Sequence, residues 1–322
     1  MSLNFADIQN AARRIAGIAH RTPVMTCRTI DEIAGCRVFF KCEHLQKVGA
    51  FKFRGACNAV SQLTDEQAAK GVVTHSSGNH AQALALAARM RGIPAYIVMP
   101  RTSSPVKKAA VEGYGAEVVL CEPNQQAREA TAAEIETRTG ATFIHPYNNL
   151  DVMAGQGTAT LELDEQAREL GCELDAVITP VGGGGLLSGT CIAAKGLRSN
   201  LRVFAGEPAG ADDAARSLAA GQFQPQTGPN TIADGLLTSL GDQTWPIIQQ
   251  HVEGIITVSD EQIIHAMRLL WERAKLLIEP SSAVVLAAIF DPRFKQFPRV
   301  TSIGAVLSGG NVNLDKLPWS SK

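Results

Sequence analysis

Long apolar runs are missing from this chain of 322 residues. The longest notable one, Ala283 to Phe290, is far too short to cross a bilayer, and the first twenty residues hold no apolar segment of the kind that opens an export signal. These absences predict a cytoplasmic protein with no membrane partner. Charge of one sign is missing too: 30 Lys and Arg stand against 31 Asp and Glu, a formal charge of -1, which gives no support to a nucleic-acid groove. Paired cysteines are also lacking. The seven present (Cys27, Cys36, Cys42, Cys57, Cys121, Cys172 and Cys191) are an odd number with no CxxC pair, and they sit in predicted helices and strands. That speaks against a disulfide framework or a structural zinc site and for reduced thiols. Internal repeats and low-complexity tracts are absent as well. What is there is a chain 45% apolar, enough for one large or two medium α/β domains with proper cores.

The stretch that organises the chain is Val181 to Gly189, VGGGGLLSG. Asp175 to Pro180 before it reads as a short buried strand, and Leu186 to Gly196 after it as a helix of small and apolar residues. Gly182, Gly183, Gly184 and Gly185 carry no Cβ to keep a ligand off the backbone. Their N–H groups lie at the positive end of a helix, which makes a phosphate site. The spacing is neither that of a dinucleotide fingerprint nor that of a Walker loop. The plainer alternative is a flexible turn.

Around this loop the pattern alternates. Helices are predicted at 4–18, 30–34, 81–90, 104–114, 127–138, 155–170, 214–220, 245–251 and 260–276, with another beginning near Pro280. Strands are predicted at 37–42, 71–74, 92–100, 116–121, 141–144, 201–206, 254–258 and 300–307. The run of helix-linked strands from 71 to 144 reads as a small parallel sheet. Residues 63–149 are therefore taken as a small domain inserted into a larger one made of 1–62 and 150–322.

Four places carry chemistry. Lys52 stands between Phe51 and Phe53, and partial desolvation there favours a neutral amine able to form a Schiff base; the alternative is a surface lysine. Ser76-Ser77-Gly78-Asn79-His80, between a strand and a helix, offers hydroxyls, an amide and free N–H groups to a carboxylate, or caps a helix. Ser308-Gly309-Gly310-Asn311 follows a strand, at the end where α/β ligands lie. Glu207, Asp212 and Asp213 on a turn suit a hard cation such as Mg²⁺, or form a solvated acidic turn.

These motifs resemble, in order and almost end to end, the fold-type II pyridoxal-phosphate enzymes of the tryptophan-synthase β fold, and most of all serine racemase and the serine/threonine dehydratases. Gly155-Gln156-Gly157-Thr158, Ile232 to Gly235, Thr244 to Ile248 and Leu276 to Pro280 extend the likeness. The resemblance implies an α/β protein of two three-layer α/β/α domains with pyridoxal 5′-phosphate between them. By resemblance Lys52 holds the cofactor beside Phe51, Gly182 to Gly185 and Leu186 bind its phosphate, Asn79 meets its 3′-oxygen and Ser308 its pyridine nitrogen. Lys52 and Ser77 are the acid–base pair on opposite faces. Ser76, Ser77, Asn79 and His80 surround the substrate carboxylate, and Arg128 meets a second carboxylate. Glu207, Asp213 and the carbonyl of Ala211 match a site for Mg²⁺, or Ca²⁺ or Mn²⁺.

The function so implied is dehydration of a 3-hydroxy amino acid (serine, threonine or 3-hydroxyaspartate) to a 2-oxo acid and ammonia, with racemisation as a shared activity. Its alternatives are a serine racemase first of all, or a β-replacement enzyme of the cysteine-synthase type. A homodimer is implied as well. Ala50 replaces the usual serine before the lysine, and Tyr147 stands where the mammalian racemase has asparagine. Cys27, Arg28 and Val48 replace hydroxyl residues of the mammalian nucleotide site while Lys275 and Asn311 remain, which argues against activation by ATP.

Overall fold

A computed structural model describes residues 2–320. The chain runs through α1 (Phe5–Ile15), β1 (Val24–Met25), α2 (Arg28–Ala34), β2 (Arg37–Cys42), α3 (Lys52–Gln62) and α4 (Asp65–Lys70). It continues as β3 (Val72–His75), α5 (Asn79–Arg91), β4 (Ala95–Pro100), α6 (Pro105–Gly113), β5 (Glu117–Cys121), α7 (Gln125–Thr139) and β6 (Thr142–Phe143). Then come α8 (Leu150–Glu169), β7 (Ala176–Pro180), α9 (Gly185–Leu197), β8 (Arg202–Pro208), α10 (Asp213–Ala220), α11 (Thr244–His251), β9 (Gly254–Val258), α12 (Asp260–Leu269), α13 (Pro280–Phe290) and β10 (Ser302–Leu307).

Two sheets result. The larger has the order β1-β2-β10-β7-β8-β9 and the smaller β5-β4-β3-β6; every pairing is parallel except the antiparallel edge β1–β2. The strands alternate between two helical layers. Val38 and Phe40 join a core with α2, α12 and α13, while Phe39 joins another with α8, α9, α10 and α11. Burial on both faces is what parallel strands with helical crossovers require, and β7 and β10 are buried at every residue. In the small sheet, Val72 and Ile97 pack with α3 and α5, and Val73 and Val98 with α7. The apolar face of α3, with Phe53, Ala56 and Val60, thus joins the core under the small sheet. No described helix is long and apolar enough to cross a membrane, and all seven cysteines are free.

Three elements depart from the pattern read along the chain. Helix α8 begins at Leu150, capped by Asn149, whose Oδ1 accepts the N–H of Val152 at 3.0 Å. Gly155 and Gly157 are therefore inside it, where they serve close crossing rather than initiation. Helix α5 begins at Asn79, so Asn79 and His80 stand in its first turn instead of the loop. The helix predicted to reach Leu276 stops at Leu269 and widens into a π turn, after which Lys275 adopts a left-handed conformation (φ 60). The wide turn lets Leu276 N–H reach back to the carbonyl of Leu270 at 3.1 Å. Two short elements, β1 and α4, were not anticipated.

The segments after β3, β7, β8 and β10, all at carboxyl ends of strands, carry Ser76, Gly182, Ala211 and Ser308, and Asp213 opens the helix that follows β8. This is the end of a parallel sheet where ligands are held.

Candidate active site

Lys52 is the first residue of α3, and the segment before it is stitched to the turn after β10. Phe51 N–H donates to the Ser308 carbonyl at 2.9 Å, Gly310 N–H donates to the Gly49 carbonyl at 3.0 Å, and Ala50 pairs with Gly309. The Lys52 side chain is partly covered, yet its amine lies deep enough that burial pulls its pKa down to about 8. Nζ donates to the Pro146 carbonyl at 2.8 Å and lies 5.2 Å from the centre of the Phe51 ring. The two aromatic neighbours divide the work: Phe51 flanks the amine, whereas Phe53 is buried in the core under the small sheet. Arg54, fully buried, anchors the same helix start from behind. It bridges Glu43 (Nε to Oε2, 2.7 Å) and Glu162 (Nη1 to Oε1, 2.7 Å), and Glu162 also accepts from Lys41 Nζ at 2.7 Å.

In the glycine loop the backbone donors are uncommitted. Among the described residues, the N–H groups of Gly182, Gly183, Gly184 and Gly185 find no acceptor, although the loop is buried and opens a thirteen-residue helix. Buried unpaired N–H groups at a helix N-terminus call for an anion. The missing Cβ atoms have a second cause, since they face protein. A Cβ on Gly182 would come within 3.0 Å of Leu236 Cα, and one on Gly185 within 2.9 Å of Tyr147 Cβ. Gly184 is left-handed (φ +86) with Thr244 beside it. The glycines thus admit both a ligand on one side and Tyr147 and Thr244 on the other. Leu186 follows in the helix, buried.

Ser308 is buried, its hydroxyl 3.1 Å from that of Ser282, which also accepts the N–H of Gly309 at 2.7 Å. A neutral hydroxyl pair of this kind leaves a facing pyridine nitrogen without a carboxylate partner. Asn79 donates from Nδ2 to Glu279 at 3.0 Å and accepts from Asn311 Nδ2 at 2.8 Å. Glu279 is buried, which raises its carboxyl to about 7, with Asp234 adding to the rise. In the loop, Ser76 Oγ accepts the N–H of Gly78 at 3.4 Å, while Ser77 has no partner among the hydrogen bonds of the described residues. His80 departs from the rest of the loop: its Nε2 donates to the Ile144 carbonyl at 3.2 Å, and burial, with Lys52 nearby, holds the imidazole neutral. Arg128, in the first turns of α7, has a buried Nε without a partner and no acidic group within ion-pair reach among the described residues.

Glu207 is the next-to-last residue of β8 and Asp213 opens α10. Burial holds the Glu207 carboxyl well above its ordinary range, although it accepts from Ala214 N–H at 2.9 Å and Ala215 N–H at 2.8 Å. Burial likewise raises Asp213 to about 6; its Oδ2 accepts from Leu240 N–H at 3.1 Å and its buried Oδ1 has no partner. No three His, Cys, Asp or Glu side chains among the described residues are grouped to hold a metal. The buried Asp213 oxygen without a partner lies two residues along the chain from buried Ala211.

Glu279, Ser282 and Pro146 had no chemistry assigned from the sequence. A glutamate ahead of Pro280 carries no local chemical signal, and only its place in the Leu276 to Pro280 motif hinted at more.

Comparison with known proteins accords with this geometry. The family model for pyridoxal-phosphate dependent enzymes matches residues 15–309. Serine racemase of Dictyostelium discoideum is 51% identical over 98% of this chain and 97% of its own, and its crystal structure superposes with a TM-score of 0.93, covering 98% of this chain and 100% of that one. The β-hydroxyaspartate dehydratase of Paracoccus denitrificans is 49% identical over 98% of each chain. The structure of maize serine racemase, 46% identical, gives a TM-score of 0.95 over 98% of this chain and 95% of that one. This chain belongs to the fold-type II pyridoxal-phosphate-dependent enzymes, among the relatives of serine racemase and threonine dehydratase.

Proposed function

We propose that this enzyme interconverts the enantiomers of serine and, from the same deprotonated substrate, removes the β-hydroxyl of 3-hydroxy amino acids to give a 2-oxo acid and ammonia. The observation that carries the reading is the Lys52 amine, with its pKa drawn down to about 8, set apart from a second proton-transfer group, Ser77, on a different element. Interconversion of enantiomers needs two such groups. The likeness to serine racemases over nearly the whole chain favours racemisation as the leading activity, ahead of the elimination that the motifs alone put first.

Lys52 and the N–H groups of Gly182 to Gly185 would hold the cofactor by its aldehyde and its phosphate, with Asn79 and Ser308 at the ring. Bound pyridoxal phosphate supplies an electron-withdrawing ring that stabilises the carbanion left when the α-proton departs. Lys52 Nζ takes that proton on one face and Ser77 Oγ supplies or removes it on the other. Ser76, Asn79 and the N–H groups at the start of α5 bind the substrate carboxylate, while His80, committed to Ile144, fixes the helix start that presents them.

The unpaired Arg128 supports a substrate with a second carboxylate, 3-hydroxyaspartate, and the β-hydroxyaspartate dehydratase among the relatives is consistent with it. Glu207, Asp213 and Ala211 are proposed to hold Mg²⁺ or another hard cation, on the strength of the orphaned Asp213 oxygen. One panel tests all of this: keto-acid release and product chirality from L- and D-serine, L-threonine and the 3-hydroxyaspartate isomers, with and without EDTA. Lys52→Ala should abolish both turnover and the visible absorbance of the lysine–cofactor Schiff base. Arg128→Ala should lose roughly 1.5–3 kcal/mol, about ten- to a hundredfold in kcat/KM, on hydroxyaspartate and little on serine. Retained turnover without Lys52, equal losses on both substrates, or indifference to EDTA would each remove the corresponding part. The homodimer implied by the resemblance is proposed as well, and sedimentation decides it.

A further inference from the structure

Between β6 and α8 the chain makes a turn, 145–148, built on a histidine side chain. His145 folds its Nδ1 back onto its own backbone, where it accepts the N–H of Asn148 at 2.9 Å and that of Tyr147 at 3.3 Å. An accepting Nδ1 puts the ring proton on Nε2, so the neutral imidazole templates the turn as an asparagine side chain does in an Asx turn. The residues so held face the two halves of the cofactor site. The carbonyl of Pro146 accepts the Lys52 amine at 2.8 Å, and Tyr147 packs against the missing Cβ of Gly183 and Gly185. Asn148 then ties the turn to the loop before α11, accepting from Gln243 N–H at 3.0 Å and donating to Asp242 at 2.6 Å.

We propose that His145 is a positioning residue for Lys52: by templating this turn it fixes the Pro146 carbonyl that holds the lysine amine in one place. Ordering a lysine side chain costs conformational entropy, and a fixed acceptor offsets part of that cost and leaves the amine where the cofactor aldehyde arrives. Burial, with His75 and Lys52 nearby, pulls the pKa of His145 down to about 4, so the template persists through neutral pH. The ring also packs edge-on against Tyr147 at 4.5 Å and His75 at 5.8 Å. A phenylalanine would keep that packing and lose the acceptor, whereas an asparagine would keep an acceptor and lose the ring.

This rests on the proposed role of Lys52, and the test separates the two. Full-length protein stripped of cofactor is mixed with pyridoxal phosphate, and the rise of Schiff-base absorbance is timed. The affinity for pyridoxamine phosphate, which fills the site without forming the bond, is measured in parallel. His145→Phe should form the Schiff base about tenfold more slowly, or worse, while binding pyridoxamine phosphate within about threefold of the unaltered protein. His145→Asn should be close to the unaltered protein in both. A His145→Phe protein that forms the bond at the unaltered rate overturns the proposal. If His145→Phe fails to fold or to bind pyridoxamine phosphate, His145→Asn decides: an unaltered rate supports the role and a slow one overturns it. Absence of any Schiff-base absorbance in the unaltered protein would instead sink the reading of Lys52 itself.

Discussion

At the scale of single residues the site turns on one amine. A lysine in water holds its proton until far above neutral pH, but burial disfavours the ammonium and brings Lys52 to about 8. The neutral amine is the form that takes a proton, so kcat should rise with pH through about 8 and level off above it. A pH–rate profile flat across that range would show that another group removes the α-proton. The lysine, the serine loop and the glycine loop were legible in the sequence because each is a local pattern with a local chemical meaning. Glu279 and Ser282 were not. Their meaning comes from Asn79 and Ser308, which are 200 and 26 residues away along the chain. His80 is divided: its Nε2 donates to the Ile144 carbonyl, a contact no local pattern announced, while its buried Nδ1 has no partner among the described residues.

At the scale of elements, α8 sets the spacing of the site. It crosses α3, which begins with Lys52, and α9, which begins at the phosphate loop, and both crossings are made by glycines. A Cβ on Gly55 would meet the Val152 carbonyl at 2.7 Å, and one on Gly157 would meet the Gly189 carbonyl at 2.7 Å. Read along the chain, glycines at 155 and 157 suggested a helix start, because glycine weakens a helix interior. In the fold they are retained because backbones touch there. Gly189→Ala should therefore cost about 1–3 kcal/mol of stability by overpacking and weaken cofactor binding as α9 is pushed off α8. Thermal denaturation and a pyridoxal-phosphate titration check both, and an unchanged affinity would show that α8 does not govern the phosphate loop.

At the scale of the whole molecule, the segments that follow β3 and β10 meet, Asn311 Nδ2 donating to Asn79 Oδ1 at 2.8 Å, and a buried charge cluster ties down the start of the lysine-bearing helix. Arg54 and Glu43 are completely buried, and Glu162 and Lys41 balance them. Burial alone would raise Glu43, but the guanidinium of Arg54 outweighs it and keeps the carboxylate charged. Arg54→Met should thus cost about 3–5 kcal/mol, because it strands a buried carboxylate. Adding Glu43→Gln should recover part of the lost melting temperature; no recovery would mean that packing of the long side chain, not charge, is what Arg54 provides. The sequence by itself determined the alternation of strands and helices and the plan of two sheets, since hydrophobic periodicity acts through neighbours along the chain, and the order of its motifs pointed to the cofactor class through their likeness to one family. Only the tertiary structure decided that Phe51 rather than Phe53 flanks the amine, that the glycines face Tyr147, and that Glu279 and Pro146 meet Asn79 and Lys52. Depth of burial and contacts between distant segments are products of packing, and no local pattern encodes them.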